Sequence, residues 1–334
     1  MILKTFYDKY LKKILEQIFS LNNIMYFGIK SKRIRFLGIN FYKIPKPKKF
    51  SFNNKCKDIT NIYFNNNIPI THKRLAIFAS FNKDGKIKDS VVYYIKNLKE
   101  ITDGIIFVTD NPVIESELKK IEKYTTVAQC LRHNEYDFGS YKFGFNLAKK
   151  YNLLDGINEL ILCNDSCYGP INNLKIIFNI MDKKECDFLG LSSDTTVKNH
   201  IQSFFYVFKK NVFNHKSFDK YINKIRKQNN IIDVIKKYEC TFTDYLEKQN
   251  FKSATLVPKI IKDFSPEQNK TCYPLTLMKE YNYPLIKVKA FNNQIDLKEP
   301  IEDSLKYIKE NNEELYNIIL NETGYKYSQT NIIE

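Results

Sequence analysis

Between residues 74 and 165 the sequence alternates short apolar runs with segments of helical periodicity, and this alternation constrains the fold more than any other feature. The apolar runs read RLAIFASFN, GIIFVTDNP, TTVAQCL and ELILCND, and each passes into polar residues. Helical spacing separates them in IKDSVVYYIKNLKEI, around residues 115–124 and in SYKFGFNLAKKY. Because strands and helices alternate, the sequence predicts an α/β fold with a parallel or mostly parallel sheet flanked by helices.

Polar side chains follow these predicted strands, at the edge where sheets of this kind bind ligands. We therefore expect Asp110, Asn134, Asp137 and Asp165 to lie along the carboxyl edge of the sheet. An Asp at a strand tip can hold a divalent cation against the phosphates of a ligand. The same residue can also cap its own turn through hydrogen bonds. For Asp165, both interpretations are open at this point.

The segment RHNEYDFGSYKFGF, upstream of Asp165, has the composition of a phosphate site. It predicts a loop followed by a helix start, and the candidate ligand-binding residues of this segment are Arg132, Asn134, Asp137, Gly139, Ser140 and Lys142. We expect the helix to begin at Gly139 and Ser140, with Lys142 in its first turn. A helix amino terminus attracts phosphate oxygens through its free amides, and a lysine adds positive charge. Asp137 could instead cap this helix from outside its start.

Much of the formal net charge of +16 lies in the first fifty residues. The opening MILKTFYDKYLKKILEQIFSL has apolar residues at helical spacing and predicts an amphipathic helix. KSKRIRFLGINFYKIPKPKK alternates apolar and basic residues, which predicts two short strands or a hairpin. Charges interrupt every apolar run, which excludes a secretory signal and a membrane span. We expect residues 1–50 to bind an anionic membrane surface, the alternative being a helix packed on the core.

The chain is expected to contain three parts. An extension of helix, short strands and an Asn-rich connector occupies residues 1–71, with the boundary near Thr71. The main domain follows over residues 72–291. A polar helical tail over residues 292–334 is expected to pack on the core.

Other classes of protein receive less support from the sequence. Seven cysteines form neither a CxxC pair nor a disulfide framework, which favours a cytoplasmic location. A Ser-His-Asp triad and an HExxH helix are absent. The sequence pI of about 9.2 raises a nucleic-acid-binding module as a rival, but zinc-finger, RNP-type and helix-turn-helix signatures are absent. We therefore expect no nucleic-acid partner.

Four motifs, NEYDFGSYKFGF, LCNDSCYGP, DFLGLSSD and HIQSFFYVF, resemble in order and spacing the rhamnan synthesis protein F family of bacterial glycosyltransferases. The similarity covers roughly residues 72–290 and continues through IIDVIKKYECTFTDYLEKQNF and, more weakly, CYPLTLMKEYNYPLIKV, where the family has a Pro-rich stretch ending near a Lys. The resemblance implies a glycosyltransferase A-like fold, a nucleotide-sugar donor and a glycan or lipid-linked acceptor. It also implies a role in surface polysaccharides such as capsule or lipopolysaccharide, with rhamnose or another deoxysugar as the donor sugar.

The resemblance also carries site roles onto matching residues. Asp137, Gly139 and Lys142 match the family's Asp-Phe-Gly and following Lys, and Asn164 with Asp165 match its Asn-Asp-Ser motif. Asp165 then occupies the place of the paired-Asp metal motif of related transferases. Asn164 and Ser166 replace carboxylates of that motif and leave a weaker cation site than two aspartates would make. A dependence on Mg²⁺ or Mn²⁺ therefore stays open. A cation such as Lys142 or Arg132 could neutralise the leaving diphosphate instead.

An inverting transfer also needs a general base near the acceptor hydroxyl. The candidates are Glu239, His200 and Asp194, with Glu239 first, and each of them could instead be a hydrogen-bonded structural residue. The expected location is the inner face of the cytoplasmic membrane, as a peripheral protein. The alternative function is a noncatalytic scaffold of envelope polysaccharide assembly.

Overall fold

The computed structural model describes residues 19–26, 29–37, 39–43, 51–64, 71–196, 198–258, 261, 269–292 and 294–325. The chain divides into two compact units. The smaller comprises residues 1–49 with 293–295, and the larger comprises residues 50–292 with 296–334. Within the described ranges, no helix combines the length and apolar character needed to cross a bilayer.

The smaller unit contains a three-stranded antiparallel sheet. Its strands are β1 (Phe19–Tyr26), β2 (Ile29–Phe36) and β3 (Ile39–Lys43), in the order β1-β2-β3. The prediction of two short strands is confirmed by β2 and β3. The predicted amphipathic helix is wrong for residues 19–21, because they pair with residues 34–36 in the β1–β2 ladder. The rest of that predicted helix lies outside the described residues.

The larger unit is an α/β unit, as the alternation of the sequence predicts. Its described strands are β4 (Cys56–Lys57), β5 (Ile59–Tyr63), β6 (Arg74–Ser80), β7 (Gly104–Thr109), β8 (Val113–Ile114), β9 (Val127–Cys130), β10 (Glu159–Asn164), β11 (Cys167–Tyr168), β12 (Phe188–Gly190), β13 (Ser193–Asp194), β14 (His200–Ile201), β15 (Phe205–Lys209), β16 (Ser253–Thr255) and β17 (Ile286–Lys287).

Helices cover this unit between and after the strands. The described α-helices are α1 (Asp89–Lys99), α2 (Tyr136–Lys150), α3 (Leu174–Met181), α4 (Lys210–Phe213), α5 (Lys216–Asn223), α6 (Ile231–Val234), α7 (Cys240–Glu247), α8 (Pro274–Tyr281), α9 (Ile301–Asn311) and α10 (Glu313–Thr323). Three 3₁₀ segments (Glu115–Lys120, Lys270–Cys272 and Val288–Asn292) and one π-helical segment (Ile235–Glu239) add short turns.

Eight strands form one mostly parallel sheet in the order β16-β12-β15-β10-β6-β7-β9-β5. The pairs β10–β6, β6–β7, β7–β9 and β12–β16 are parallel, whereas β15 and β5 pair antiparallel to their neighbours. Strand β5 comes from the expected connector. After β6, the chain forms β7 and β9 on one side of this strand and then β10 on its other side. The carboxyl ends of β6 and β10 thus flank a topological switch point, where sheets of this kind bind ligands.

Alternate residues of the central strand β6 belong to opposite faces of the sheet. Phe78 packs in the core cluster that contains α1, and Ile77 packs in the cluster that contains α2. Gly144 of α2 permits a close approach there, because a Cβ at this position would lie 2.3 Å from Ile77 Cγ2. This packing fixes the first turn of α2 beside the carboxyl edge of the sheet.

The last two helices belong to the larger unit. Leu305, Ile308 and Leu315 are fully buried on their inner faces. The Glu322 carboxylate accepts hydrogen bonds from the amide and hydroxyl of Ser90 at 2.8 and 2.9 Å, in the first turn of α1. A carboxylate at a helix amino terminus is favourable, so this contact ties α10 to α1.

Candidate active site

Asp165 follows the last residue of β10 and points across the switch point to β6. Its Oδ2 accepts hydrogen bonds from Ser80 Oγ at 2.7 Å and from the Phe81 amide at 2.9 Å. Burial raises the pKa of this carboxyl, and the two hydrogen bonds offset part of that rise. Asp165 thus lies at the tip of a strand, as predicted from the sequence.

Asn164, not Asp165, makes the local turn. Its Oδ1 accepts hydrogen bonds from the Ser166 amide at 3.1 Å and from Ser166 Oγ at 2.6 Å. Its Nδ2 donates to Asp137 Oδ2 at 2.8 Å. The turn-capping interpretation thus applies to Asn164, and the described hydrogen bonds of the Asp165 carboxylate go to the end of the neighbouring strand.

Asp137 lies in the first turn of α2, with its carboxylate close to Asp165. Burial and then the charge of Asp165 raise the pKa of Asp137 to about 7, against a lowering effect of Lys287. The predicted helix start at Gly139 and Ser140 is wrong, because α2 begins at Tyr136. Asp137 therefore lies in the helix and not in a loop, and Lys142 lies in the second turn and not in the first. The preceding loop is fixed by side chains, which lets the helix start early.

Asp110 provides most of that fixation. Its Oδ1 accepts the amides of His133 and Asn134 at 2.8 and 2.7 Å, and its Oδ2 pairs with Arg132 Nη1 at 2.8 Å. Burial raises the pKa of Asp110, although the Asn134 amide and Arg132 favour its charged form. The described contacts of Asp110, Arg132 and Asn134 therefore join the loop to the end of β7.

The remaining residues of the predicted phosphate segment pack toward the same loop. A Cβ on Gly139 would lie 2.2 Å from Glu135 Cβ, so this glycine allows the loop to approach the helix. Ser140 is buried and its Oγ bonds His133 Nε2 at 3.0 Å. Lys142 forms an ion pair with Glu135 and donates to the Ile225 carbonyl at 3.1 Å. The ammonium of Lys142 is thus held by protein partners.

Two further lysines, Lys287 and Lys289, belong to the site, although the sequence pattern predicts no role for them. Lys287 lies on β17, opposite Cys167 of β11, and donates to Ser166 Oγ at 3.2 Å. Its ammonium lies 3.7 Å from the centroid of the Phe204 ring. Burial and then Lys287 lower the pKa of Lys289, which Asp137 and Glu239 raise. Both lysines are therefore electrostatically coupled to Asp137.

Lys287 is the residue after PLI in the weakly matching motif CYPLTLMKEYNYPLIKV. That motif, with its family lysine, was the only signal that could have found it. Lys287 also joins a network: its Nζ bonds Ser166 Oγ, Ser166 bonds Asn164, and Asn164 bonds Asp137. A cation and a carboxylate from distant parts of the chain are thus held in one hydrogen-bonded arrangement.

Glu239 and His200, two of the candidates for the general base, lie near each other. Glu239 ends the π-helical segment, and its Oε1 accepts the Ser203 amide at 2.7 Å and lies 3.9 Å from His200 Nε2. His200 is buried and its Nδ1 lies 2.6 Å from the Lys198 carbonyl, which makes Nδ1 the protonated nitrogen. Asp194 accepts bonds from Thr196 and Asn269, and so stabilises a turn.

The fit of a divalent cation depends on the carboxylates at the strand edge. In the part of the chain that the structure describes, no three His, Cys, Asp or Glu side chains cluster as a metal site. Asp137 and Asp165 nevertheless interact electrostatically, and both offer hard oxygen ligands. Mg²⁺ is commonly bound by one or two carboxylates and completed by phosphate oxygens and water. The two residues fit such an ion.

A family model described as rhamnan synthesis protein F matches residues 105–330. A curated relative from Sinorhizobium fredii (strain NBRC 101917 / NGR234), the uncharacterized protein y4gN, is 24% identical over 186 residues, which cover 54% of this chain and 48% of the relative. The match thus spans about half the length of that relative.

Solved structures share only a distant likeness with the chain. A cytidylyltransferase from Leptospira borgpetersenii serovar Hardjo-bovis (strain JB197) has a TM-score of 0.36 at 13% identity and covers 68% of this chain and 98% of its own. S. aureus TarS 1–349 in complex with UDP has a TM-score of 0.30 at 9% identity, covering 76% and 92%. The mannosyltransferase Ktr4p from S. cerevisiae has 0.27 at 10%, covering 52% and 65%. Scores this low assign no common fold.

Proposed function

The chain belongs to the rhamnan synthesis protein F family, and on this premise we propose that it is a glycosyltransferase. The reaction moves a sugar from a nucleotide-sugar donor to a growing surface polysaccharide or lipid-linked glycan. The observation that carries this proposal is the network that joins Asp137 and Lys287 beside Asp165, at the carboxyl edge of the sheet and within the family match.

The donor diphosphate is the group that the two lysines suit. During transfer the acceptor hydroxyl attacks the anomeric carbon, the bond to the diphosphate breaks, and negative charge accumulates on the leaving group. Preorganised cations at that position stabilise the developing charge. We propose this role for Lys287, whose Nζ is held on Ser166, and for Lys289, which interacts electrostatically with Asp137. Lys142 is paired with Glu135, and Arg132 with Asp110.

Asp165 is proposed to stand beside the diphosphate, and Asp137 to bind the donor's sugar or nucleoside. Ser80 and Phe81 hold the Asp165 carboxylate in one orientation, which preorganises it. A Mg²⁺ or Mn²⁺ ion held by Asp165 and Asp137 would supply further positive charge at the phosphates. The contact of these carboxylates with the donor is then direct or passes through the ion.

Glu239 is the proposed general base, with His200 as its neighbour. Glu239 contributes to the electrostatic environment of both Asp137 and Lys289, so it lies within range of the same site. Its bond from the Ser203 amide fixes the carboxylate while leaving acceptor capacity. A carboxylate within reach of the acceptor hydroxyl can remove its proton as the new bond forms.

The finer points of the proposal extend the family assignment. We propose a glycosyltransferase A-like arrangement, a hexosyl donor such as rhamnose or another deoxysugar, and a product in capsule or lipopolysaccharide. The proposed location is the inner face of the cytoplasmic membrane, where residues 1–50 would bind anionic lipid and a lipid-linked acceptor would be presented. The amphipathic and basic character of those residues supports this location.

Substitution of Asp165 tests the proposed reaction. Asp165→Asn keeps the acceptor oxygen for Ser80 and Phe81 but removes the charge, so transfer should be lost while the melting temperature changes little. The measurement is nucleotide release from a panel of nucleotide sugars, with the exposed Asp84→Asn as the matched control. Activity that persists in Asp165→Asn contradicts the role of this carboxylate, and wild-type protein that turns over no nucleotide sugar contradicts the function.

A donor titration with Mg²⁺, Mn²⁺ or a chelator distinguishes the two forms of the proposal. A contact that passes through a metal disappears on chelation, because the ion is removed from between the carboxylate and the phosphates. If the chelator leaves the donor affinity unchanged, the lysines and not a metal ion neutralise the diphosphate.

A further inference from the structure

The sheet of the smaller unit exposes a continuous apolar face. Strand alternation and register place Phe19, Leu21, Ile34, Phe36, Ile39 and Phe41 on one side of it, and Leu37 follows at the β2–β3 turn. We call these seven residues the apolar face. Phe36 is 51% exposed, Phe41 53% and Leu37 64%. Single exposed apolar residues are ordinary, but a contiguous group on neighbouring strands marks an interaction surface.

Polarity changes along this face in a fixed order. Leu37 lies at the turn, and the first row behind it pairs Phe36 with Phe19 and with Ile39. The second row pairs Ile34 with Leu21 and with Phe41, and the third pairs Lys32 with Lys43. Rows two residues apart are separated by about 7 Å, so the lysines lie roughly 13 Å behind the row of Phe36.

A lipid surface has the same order of polarity, with acyl chains inside and phosphates outside. We propose that the apolar face inserts into an anionic membrane, with the Leu37 turn deepest and Lys32 and Lys43 at the level of the phosphates. The aromatic rings of Phe19, Phe36 and Phe41 would then occupy the boundary between headgroups and acyl chains. This deepens the proposed function, because it names the residues that would bring the site to a lipid-linked acceptor.

The charge of the sheet favours a membrane over a second copy of the chain as the binding partner of the apolar face. Residues 19–43 contain five basic residues and no Asp or Glu. Of these, Lys32 and Lys43 lie on the side of the apolar face, whereas Arg33 and Arg35 lie on the opposite side of the sheet. A second copy packed on this face would offer Lys32 and Lys43 no acidic partner from its own sheet, which disfavours association. Anionic lipid neutralises them, and each Lys or Arg near such a surface adds to the attraction.

The chain contains no tryptophan, which permits a site-specific test with the full-length protein. Phe36→Trp introduces a single indole on the apolar face and preserves its aromatic character. With vesicles of phosphatidylglycerol and phosphatidylcholine, its emission should shift to shorter wavelength and be quenched by brominated acyl chains. Ile176→Trp is the matched control, because Ile176 is 54% exposed on α3 of the larger unit, and its emission should not change.

A second variant tests the energetic contribution of the turn. Leu37 has a φ of 48°, a conformation that Asn adopts more readily than Leu, so Leu37→Asn should fold normally. Its vesicle binding in a sedimentation assay should fall about tenfold, as expected for losing one apolar side chain from the lipid. Ile176→Asn should bind as wild type does.

The outcomes are distinct. Leu37→Asn that binds vesicles like wild type, or Phe36→Trp emission that vesicles leave unchanged, overturns the inference. A blue shift that instead depends on protein concentration without lipid shows a dimer interface and also overturns it. Nucleotide release in solution is measured separately, and it should be equal in Leu37→Asn and wild type. Failure of the membrane inference and failure of the proposed function can thus be told apart.

Discussion

Replacing Asp137 by Asn should make the protein more stable above neutral pH, because it removes a carboxyl that is costly to ionise in the folded chain. The pKa of Asp137 is raised from its ordinary value of 3.8 to about 7, mainly by burial and then by Asp165. The introduced amide oxygen can still accept the hydrogen bond from Asn164 Nδ2. The substitution therefore removes a charge and preserves the shape of the turn.

The sign and size of the effect follow from linkage. Between pH 4 and pH 7 the unfolded chain releases the proton of Asp137 while the folded chain keeps it, so wild-type stability falls over this range and the penalty is constant above it. The full difference between pKa values of 3.8 and about 7 corresponds to about 4 kcal/mol.

Urea unfolding of both proteins across this pH range measures the effect. The free energy of unfolding of Asp137→Asn should equal that of wild type near pH 4 and exceed it by about 4 kcal/mol at pH 8. The exposed Asp84→Asn should show no such pH-dependent gain. A gain that is the same at every pH, or an Asp137→Asn protein that is less stable at pH 8, would refute the electrostatic reasoning.

Further substitutions separate the roles of individual groups. Lys287→Met should weaken donor binding by roughly 1.5 to 3 kcal/mol in a calorimetric titration, and the exposed Lys279→Met should leave it unchanged; equal affinities would contradict the phosphate role of Lys287. Lys142→Ala should instead lower the melting temperature, because its ion pair with Glu135 is largely buried, and its effect on donor affinity should be smaller than that of Lys287→Met. Gly144→Ala should destabilise the protein by roughly 1 to 3 kcal/mol in thermal unfolding, since the added methyl group meets strand β6, and an unchanged melting temperature would show that the helix can move.

The sequence was sufficient to predict the central sheet and its edge. The runs RLAIFASFN and ELILCND are apolar over a strand's length and end in polar residues, so β6, β10 and the position of Asp165 follow from local pattern. The hydroxyl of Ser80 also lies at a predicted strand end. Nothing in the pattern, however, marks it as the partner of Asp165, because that contact depends on how two strands distant in sequence pair.

The lysines of the site could not be derived from periodicity or spacing. Lys287 reaches Ser166 only because β17 pairs with β11, and a two-residue ladder leaves no pattern in the sequence. The start of α2 was misplaced for a related reason, since the bonds of Asp110 to the loop amides are contacts between separate segments. The predicted helix around residue 21 failed because Phe19 and Leu21 also fit a strand, and pairing with β2 decides between the two.

Strand β6 also determines where the chain can be cut. It has parallel partners on both sides, β10 and β7, yet it ends at Ser80, well before the family match begins at residue 105. An expression fragment trimmed to the matched region would lose the middle strand of the sheet and leave two neighbouring strands with unpaired backbone edges. Such edges promote aggregation. Fragments for crystallisation should therefore begin before Phe50, where the larger unit starts.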